Sequence, residues 1–227
     1  MGTDMKKLIL GLILAMLVPG LSLAGSQEIR SVVMMAKVQG GGGGISDDFS
    51  SDTSANYTAI TGTINIAGGN IGGGTNWAYN YFYHETATGS NDHYVQGDLA
   101  PSDTTAAGGA LLVLRSDGTT GYHINVSSAT ERIYLRRFNG GTVTDSDWIS
   151  TIDALANQAY KVRVSVSGST FSFYIDHNSD GDFDDANESL GTKTDATYAT
   201  GQYIGIGANR GADGVNYRAD NLSGGAL

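Results

Sequence analysis

The chain of 227 residues contains no cysteine. That excludes a disulfide framework, a thiolate metal centre and a lipid anchor on an N-terminal cysteine. Proline is nearly absent, at 2 residues, and charged residues are sparse at 16%. Of the charges, the basic ones are scarcer: 13 Lys+Arg stand against 23 Asp+Glu, for a net charge of −10. Such a field repels phosphate backbones and anionic bilayers, which argues against nucleic acid or an anionic membrane surface as the partner. Glutamate is rare as well, limited to Glu28, Glu85, Glu131 and Glu188.

What the chain does have is 33 glycines, with abundant Thr, Ser, Asn, Tyr and Val. This composition suits many strands joined by glycine turns, and without a short-period repeat it is not collagen-like.

The N-terminal stretch, residues 1–24, reads as a signal peptide. Lys6 and Lys7 precede the apolar run Leu8 to Val18, Pro19-Gly20 breaks it, and Ser22-Leu23-Ala24 supplies small residues for cleavage before Gly25. The run is too short to span a bilayer comfortably, so a secreted or cell-surface protein with no membrane span after cleavage is expected.

Residues 25–45 form an apolar arm (Ile29, Val32, Val33, Met34, Met35, Val38) followed by the glycine tether Gly40 to Gly44. The arm has three readings: a frayed terminus, an extra strand of its own domain, or a strand donated to a neighbouring copy, that is, self-association through residues 25–39.

Residues 46–223 carry about a dozen strand candidates and little helix, the latter confined to Thr151 to Ala156. Residues 224–227 read as a tail. Val162, Val164 and Val166 alternate with Arg163, Ser165 and Ser167 as a half-buried strand requires, and Asn139-Gly140-Gly141 is a hairpin signal. Strands of this number and length imply a sandwich or a closed barrel.

One stretch points to a specific chemistry. Asp176, Asn178 and Asp180 stand at the first, third and fifth places of a loop, and Gly181 stands at the sixth, where the chain must turn. Asp182 and Asp184 occupy the seventh and ninth places. This is the first half of the D-x-[DN]-x-[DN]-G calcium pattern, which offers a hard cation several oxygens around a tight turn. The pattern departs at its end: the twelfth place is Asn187, and the acid comes one residue late, at Glu188. The flanking period is that of strands, with Phe171, Phe173 and Ile175 alternating. The loop is therefore expected to hold a structural Ca2+ between strands through Asp176, Asn178, Asp180, Asp182, Asp184 and Glu188. The alternative is an acidic hairpin tip that binds nothing.

The framing segments Asp47-Asp48-Phe49-Ser50 and Arg218-Ala219-Asp220-Asn221-Leu222, with Gly168…Phe171-Ser-Phe-Tyr-Ile-Asp and Tyr203-Ile-Gly-Ile-Gly-Ala between them, resemble the concanavalin A-like, laminin G-like jelly rolls of secreted bacterial proteins. The resemblance implies an all-β, two-sheet antiparallel sandwich with its first and last strands paired. It also implies calcium in many members, in places beside those strands, where Asp48 and Asp220 stand here. The ligands it implies range from sugars to proteins.

Sugar hydrolysis in relatives of this fold uses Glu-x-Asp-x-x-Glu, which supplies the two carboxylates about 5–10 Å apart that the reaction needs. None of the four glutamates is paired in this way. There is also no Gly-x-Ser-x-Gly elbow, no phosphate loop, and no second His to make a zinc helix of His84-Glu85. No catalytic residue is therefore assigned.

The candidate ligand site is the aromatic stripe Trp77, Tyr79, Tyr81 and Tyr83, whose alternation sets all four rings on one face. Exposed, it is a platform for stacking sugar rings. Buried between the sheets, it is core. The expectation is a calcium-stabilised, non-catalytic carbohydrate-binding or adhesive module whose partner is a glycan or a cell-surface protein. A surface-assembly subunit and an atypical glycosidase are the alternatives.

Overall fold

The computed structural model describes residues 44–63, 65–67, 70–72, 79–100, 109–128, 130–152, 158–209 and 218–227. The signal segment, the apolar arm 25–39, Trp77 and residues 153–156 of the expected helical turn lie outside them. A compact unit runs from Gly42 to Leu227. Among the described residues helix is limited to one 3-10 turn, Ser54–Asn56.

The described residues form fifteen strands, in order β1 Ile45–Asp47, β2 Tyr57–Thr61, β3 Asn65–Ala67, β4 Asn70–Gly72, β5 Tyr79–His84, β6 His93–Ala100, β7 Gly109–Ser116, β8 Thr120–Ser127, β9 Arg132–Asn139, β10 Thr142–Thr151, β11 Tyr160–Ser167, β12 Thr170–Asp176, β13 Ser189–Thr194, β14 Tyr203–Asn209 and β15 Arg218–Ala226. They form an eight-stranded sheet, ordered β13-β12-β11-β6-β15-β4-β3 with β1 also on β15, and a seven-stranded sheet, ordered β10-β9-β8-β7-β14-β5-β2. Every pairing is antiparallel. The chain is an all-β, two-sheet jelly-roll sandwich.

The core between the sheets follows from strand alternation. Val162, Val164, Val166, Phe171, Phe173 and Ile175 come from the eight-stranded sheet, and Leu112, Leu114, Ile124, Val126, Ile204 and Ile206 face them from the other. The first and last strands pair as expected, with Ile45 opposite Gly224.

Two boundaries differ from the sequence reading. The last strand runs on through Gly224, Gly225 and Ala226, which pair with Val95, Tyr94 and His93, so these residues belong to the sheet and not to a tail. Glycine allows this close approach: a Cβ on Gly224 would lie 2.4 Å from the Tyr94 carbonyl oxygen and 2.5 Å from Ile204 Cδ1. The run from Tyr57 to Ile66 is not one strand but two, in different sheets. The break is Gly62, at φ +85°, where a side chain would also meet Asn80 Oδ1 at 1.8 Å.

Candidate functional site: an acidic loop and two outer sheet faces

The acidic loop joins β12 to β13. Its backbone is held by its own carboxylates. Asp176 accepts hydrogen bonds from the Ser179 and Gly181 amides, the latter at 2.9 Å. Glu188 accepts from the His177 amide at 3.2 Å and the Asp185 amide at 3.3 Å. Gly181 takes φ +96°, the left-handed turn that its place in the pattern requires.

Asp176 and Glu188 are 6% and 1% exposed. With exposed Asp180 they bring ligand oxygens within 4.8 Å of one another. The late acid therefore reaches the same point as one in step. The Glu188 amide bonds back to Asp185 O at 3.2 Å, and the extra residue is absorbed in that turn.

The other expected ligands stand differently. Asn178 turns its amide to Asp180 and Asp185. Asp182 and Asp184 are exposed, and a side-chain hydrogen bond with Asp182, backed by the charges of Asp182, Asp185 and Asp180, holds the Asp184 carboxyl above its usual range. Two buried carboxylates converging with a third in an all-oxygen set fit a hard divalent cation.

Asp48 and Asp220 do not join such a set. Among the described residues the one group of three or more ligating side chains is Asp176, Asp180 and Glu188. Asp48 caps the Ser50 amide at 3.0 Å, and Asp47 is engaged by Tyr57 Oη at 3.0 Å. Burial, then the charges of Asp98, Asp48 and Asp47, raise the Asp220 carboxyl. A cleft of about 200 Å³ beside them is lined by Asp47, Asp48, Asp98 and Lys161 among others.

Of the aromatic stripe, Tyr79, Tyr81 and Tyr83 are described, and they lie on the outer face of the seven-stranded sheet. Phe82 enters the core between the sheets, while Tyr81 joins a separate cluster with Leu111, Val113, Phe138 and Tyr79, all from the one sheet. These tyrosines are thus not packed between the sheets, as one reading had it. Nor is Tyr81 an open platform, because it is 0% exposed.

The Tyr81 ring is stacked between Tyr79, at 5.5 Å, and Phe138, at 4.7 Å, with His123 at 5.1 Å. Opposite Tyr83 and Tyr81 on the neighbouring strand β14 stand Gly205 and Gly207. Tyr79 and Tyr83 are half-buried. Arg136 donates to Tyr79 Oη and lies 4.6 Å over Tyr134.

Within this closed layer Tyr81 Oη, both His123 ring nitrogens and Ser127 Oγ have no hydrogen-bond partner among the described residues. Burial, reinforced by Arg136, pushes His123 well below its ordinary value, so it is neutral. Burial, with Tyr79 beside it, pushes the Tyr81 phenol up.

The outer face of the eight-stranded sheet is open. A pocket of about 230 Å³ is lined by Arg163, Ser165, Tyr174 and Phe183. Arg163 lies over the Tyr94 ring at 4.5 Å, and Tyr174 and Phe183 meet edge to face at 6.2 Å. Sequence reasoning put Arg163 on the polar side of its strand but assigned it no role. Its partner Tyr94 is on β6, and only the β11–β6 pairing brings the two together.

No protein-family model matches this chain, and no curated protein matches it. Solved structures do. The carbohydrate binding module CBM66 from Bacillus subtilis aligns with a TM-score of 0.57 and 18% identity, over 75% of this chain and 96% of that one. A prokaryotic β-1,3-1,4-glucanase (lichenase) derived from a mouse hindgut metagenome aligns with a TM-score of 0.58 and 8% identity, over 81% and 99%. The exoplasmic/lumenal domain of VIP36, in its Ca2+/Man3GlcNAc-bound form, aligns with a TM-score of 0.51 and 14% identity, over 76% and 84%. With its two antiparallel sheets and paired terminal strands, the chain has the concanavalin A-like jelly-roll fold that the sequence resemblance implied.

Proposed function

We propose that this chain is a secreted, calcium-stabilised, non-catalytic module that binds carbohydrate. The observation that carries the reading is the open outer face of the eight-stranded sheet. There, flat rings and polar side chains stand together beside a loop whose carboxylates suit calcium. Sugars offer flat C–H faces to rings and hydroxyls to polar groups, and this pocket offers both. The fold is shared with a module named for carbohydrate binding and with a domain solved with calcium and a mannose-containing glycan, which supports the same reading.

Calcium serves structure here. It joins carboxylates that would otherwise repel one another and fixes the loop that carries Phe183.

Hydrolysis is disfavoured by where the acids stand. Glu85 accepts from Thr58 Oγ1 at 2.8 Å, Glu131 sits in the turn before β9, and Glu188 belongs to the acidic loop. These three glutamates thus belong to three separate elements, and none of them lines the cleft that holds Asp47, Asp48 and Asp98.

The test is affinity electrophoresis of the chain through gels containing neutral and acidic polysaccharides, in calcium, with reducing-sugar release measured on the same panel. Retardation by at least one polysaccharide without release is the expected result. Free migration through all of them would overturn the binding reading, and release of reducing ends would replace it with an enzyme.

A further inference from the structure

We infer that the pocket formed by Arg163, Ser165, Tyr174 and Phe183 is a subsite for a single carboxylated sugar, a hexuronate. This rests on the carbohydrate-binding reading and names the ligand class of that face.

The central observation is Arg163. In a chain with a net charge of −10, acids outnumber bases, yet no carboxylate lies within ion-pair reach of this guanidinium among the described residues. Instead it lies over the Tyr94 ring, 4.5 Å from its centroid. Stacking on a ring fixes the guanidinium plane and leaves its N–H groups in that plane free to meet a ligand. A planar fork of N–H donors is suited to a carboxylate, which accepts two of them in parallel.

The rest of the pocket suits a sugar ring. Tyr174 and Phe183, at 60° to one another, form two apolar walls. Ser165 is the next outward residue along β11 and adds a hydroxyl. At about 230 Å³ the pocket is smaller than the roughly 300–1,000 Å³ clefts that enclose drug-sized ligands, and it suits one ring. A neutral sugar would leave the guanidinium of Arg163 without a charged partner, whereas a hexuronate meets it and stacks on the same walls.

Phe183 sits between Asp182 and Asp184 in the acidic loop, so this wall is placed by the residues that suit calcium. Their uncompensated charge would also repel an anion, and the experiment is therefore run in calcium throughout.

The experiment titrates the full chain with methyl β-D-glucuronide and, separately, with methyl β-D-glucoside, followed by amide correlation spectra. The expected result is saturable binding of the glucuronide with shifts at Arg163, Tyr174 and Phe183, and binding of the glucoside at least about tenfold weaker, the ratio that one charge-assisted pair gives. Arg163→Gln should remove that preference, and Arg163→Lys should restore part of it. Melting curves of both variants establish that they fold.

Equal affinity for the two glycosides, shifts confined to other residues, or a preference unchanged in Arg163→Gln would each overturn the subsite. If the chain is retarded by a neutral polysaccharide and Arg163→Gln leaves that retardation intact, carbohydrate binding stands and the subsite alone falls.

Discussion

On the outer face of the seven-stranded sheet Tyr81 and His123 are fully buried, whereas on the outer face of the eight-stranded sheet Arg163, Tyr174 and Phe183 keep part of their surface in water. Both sheets send aliphatic side chains inward by the same alternation, so the difference lies in what the outward positions offer. β14 offers glycine at 205 and 207, and a Cβ at either would meet the β5 backbone, at 1.9 Å from Phe82 O and 2.1 Å from Asn80 O respectively. On the same sheet, rings from β5 and β9 stack on one another. β11 and β12 instead offer Lys161, Arg163, Ser165, Ser172 and Tyr174, whose charges and hydroxyls stay solvated. Aromatic side chains alone therefore do not mark a binding surface. Rings that stack on one another close into a second core, and a ring beside a guanidinium with no ion pair among the described residues stays partly in water.

The largest expected effect separates these two roles. Tyr81→Ala removes a fully buried ring stacked on two others and should cost about 3–5 kcal/mol of unfolding free energy. Tyr174→Ala, on the open face, should cost under half of that. Tyr81→Phe removes a buried hydroxyl that has no partner among the described residues and should be neutral or stabilising. Urea unfolding of the three variants decides the point. Equal losses in Tyr81→Ala and Tyr174→Ala would mean that the two faces are packed alike.

This contrast was half legible in the sequence. Period-2 alternation placed Tyr79, Tyr81 and Tyr83 on one face, but the other face of β5 pairs the large Phe82 with polar Asn80 and His84, and it is Phe82 that enters the core, so local composition pointed to the wrong face. A clue lay in Tyr203-Ile204-Gly205-Ile206-Gly207: isoleucines at one parity and glycines at the other mark an inner face and a bare outer one. Reading it required knowing that β14 pairs with β5, a contact remote in sequence. The convergence of Asp176 and Asp180 in the acidic loop was legible because its acids are local and recur every second residue. The part that was not legible, the late Glu188, depends on a turn closed by backbone bonds at Asp185. The strand pattern likewise put Arg163 outward, while Tyr94 came into view only with the β11–β6 pairing.

Acid should expose the next difference, between a partnered and an unpartnered histidine. His93, on the eight-stranded sheet, is fully buried; its Nε2 accepts from the Arg115 amide at 3.1 Å, and its Nδ1 faces Ser90 O at 3.0 Å. Burial, reinforced by Arg115, lowers its pKa to about 4. The unfolded chain thus binds this proton first. Stability is full above the unfolded value of about 6.5 and falls as pH drops toward 4, by about 3 kcal/mol for this group. His123 is lowered too and adds to the loss in the same direction. His123→Leu should shrink the acid loss at little cost near neutral pH. His93→Leu should destabilise at neutral pH as well, because it orphans the Arg115 amide. Unfolding near pH 7 and near pH 5 tests both, and an unchanged acid loss in His123→Leu would show that water reaches the closed face.

Calcium should act on the open side alone. At a hundredfold excess over its Kd, an ion that binds only the folded state adds about 2.7 kcal/mol, or roughly 5–10 °C in Tm for a domain of this size. Thermal melts with calcium and with chelator should show that gain in wild type and lose most of it in Asp180→Ala. Glu188→Gln, which keeps the shape of the late acid without its charge, should lose it as well. A full calcium gain in Glu188→Gln would place the ion elsewhere.

The smallest effect is expected where the two sheets meet at their edges. Lys193 on β13 and Asp147 on β10 belong to the terminal strands of the eight- and seven-stranded sheets, and their charged groups lie 3.2 Å apart. Both side chains are well exposed, at 40% and 44%, so water and salt screen the pair and side-chain entropy offsets much of its attraction. A double-mutant cycle with Lys193→Ala and Asp147→Ala should give a coupling under about 1 kcal/mol that shrinks as salt is added. The more useful role of Lys193 is at the edge itself, where a charge discourages another strand from pairing onto β13. Lys193→Ala should therefore change solubility at high protein concentration more than it changes Tm. A coupling well above 1 kcal/mol, insensitive to salt, would instead mean that the ion pair clasps the two sheets, and the contrast between their outer faces would then depend on how far that clasp holds them open.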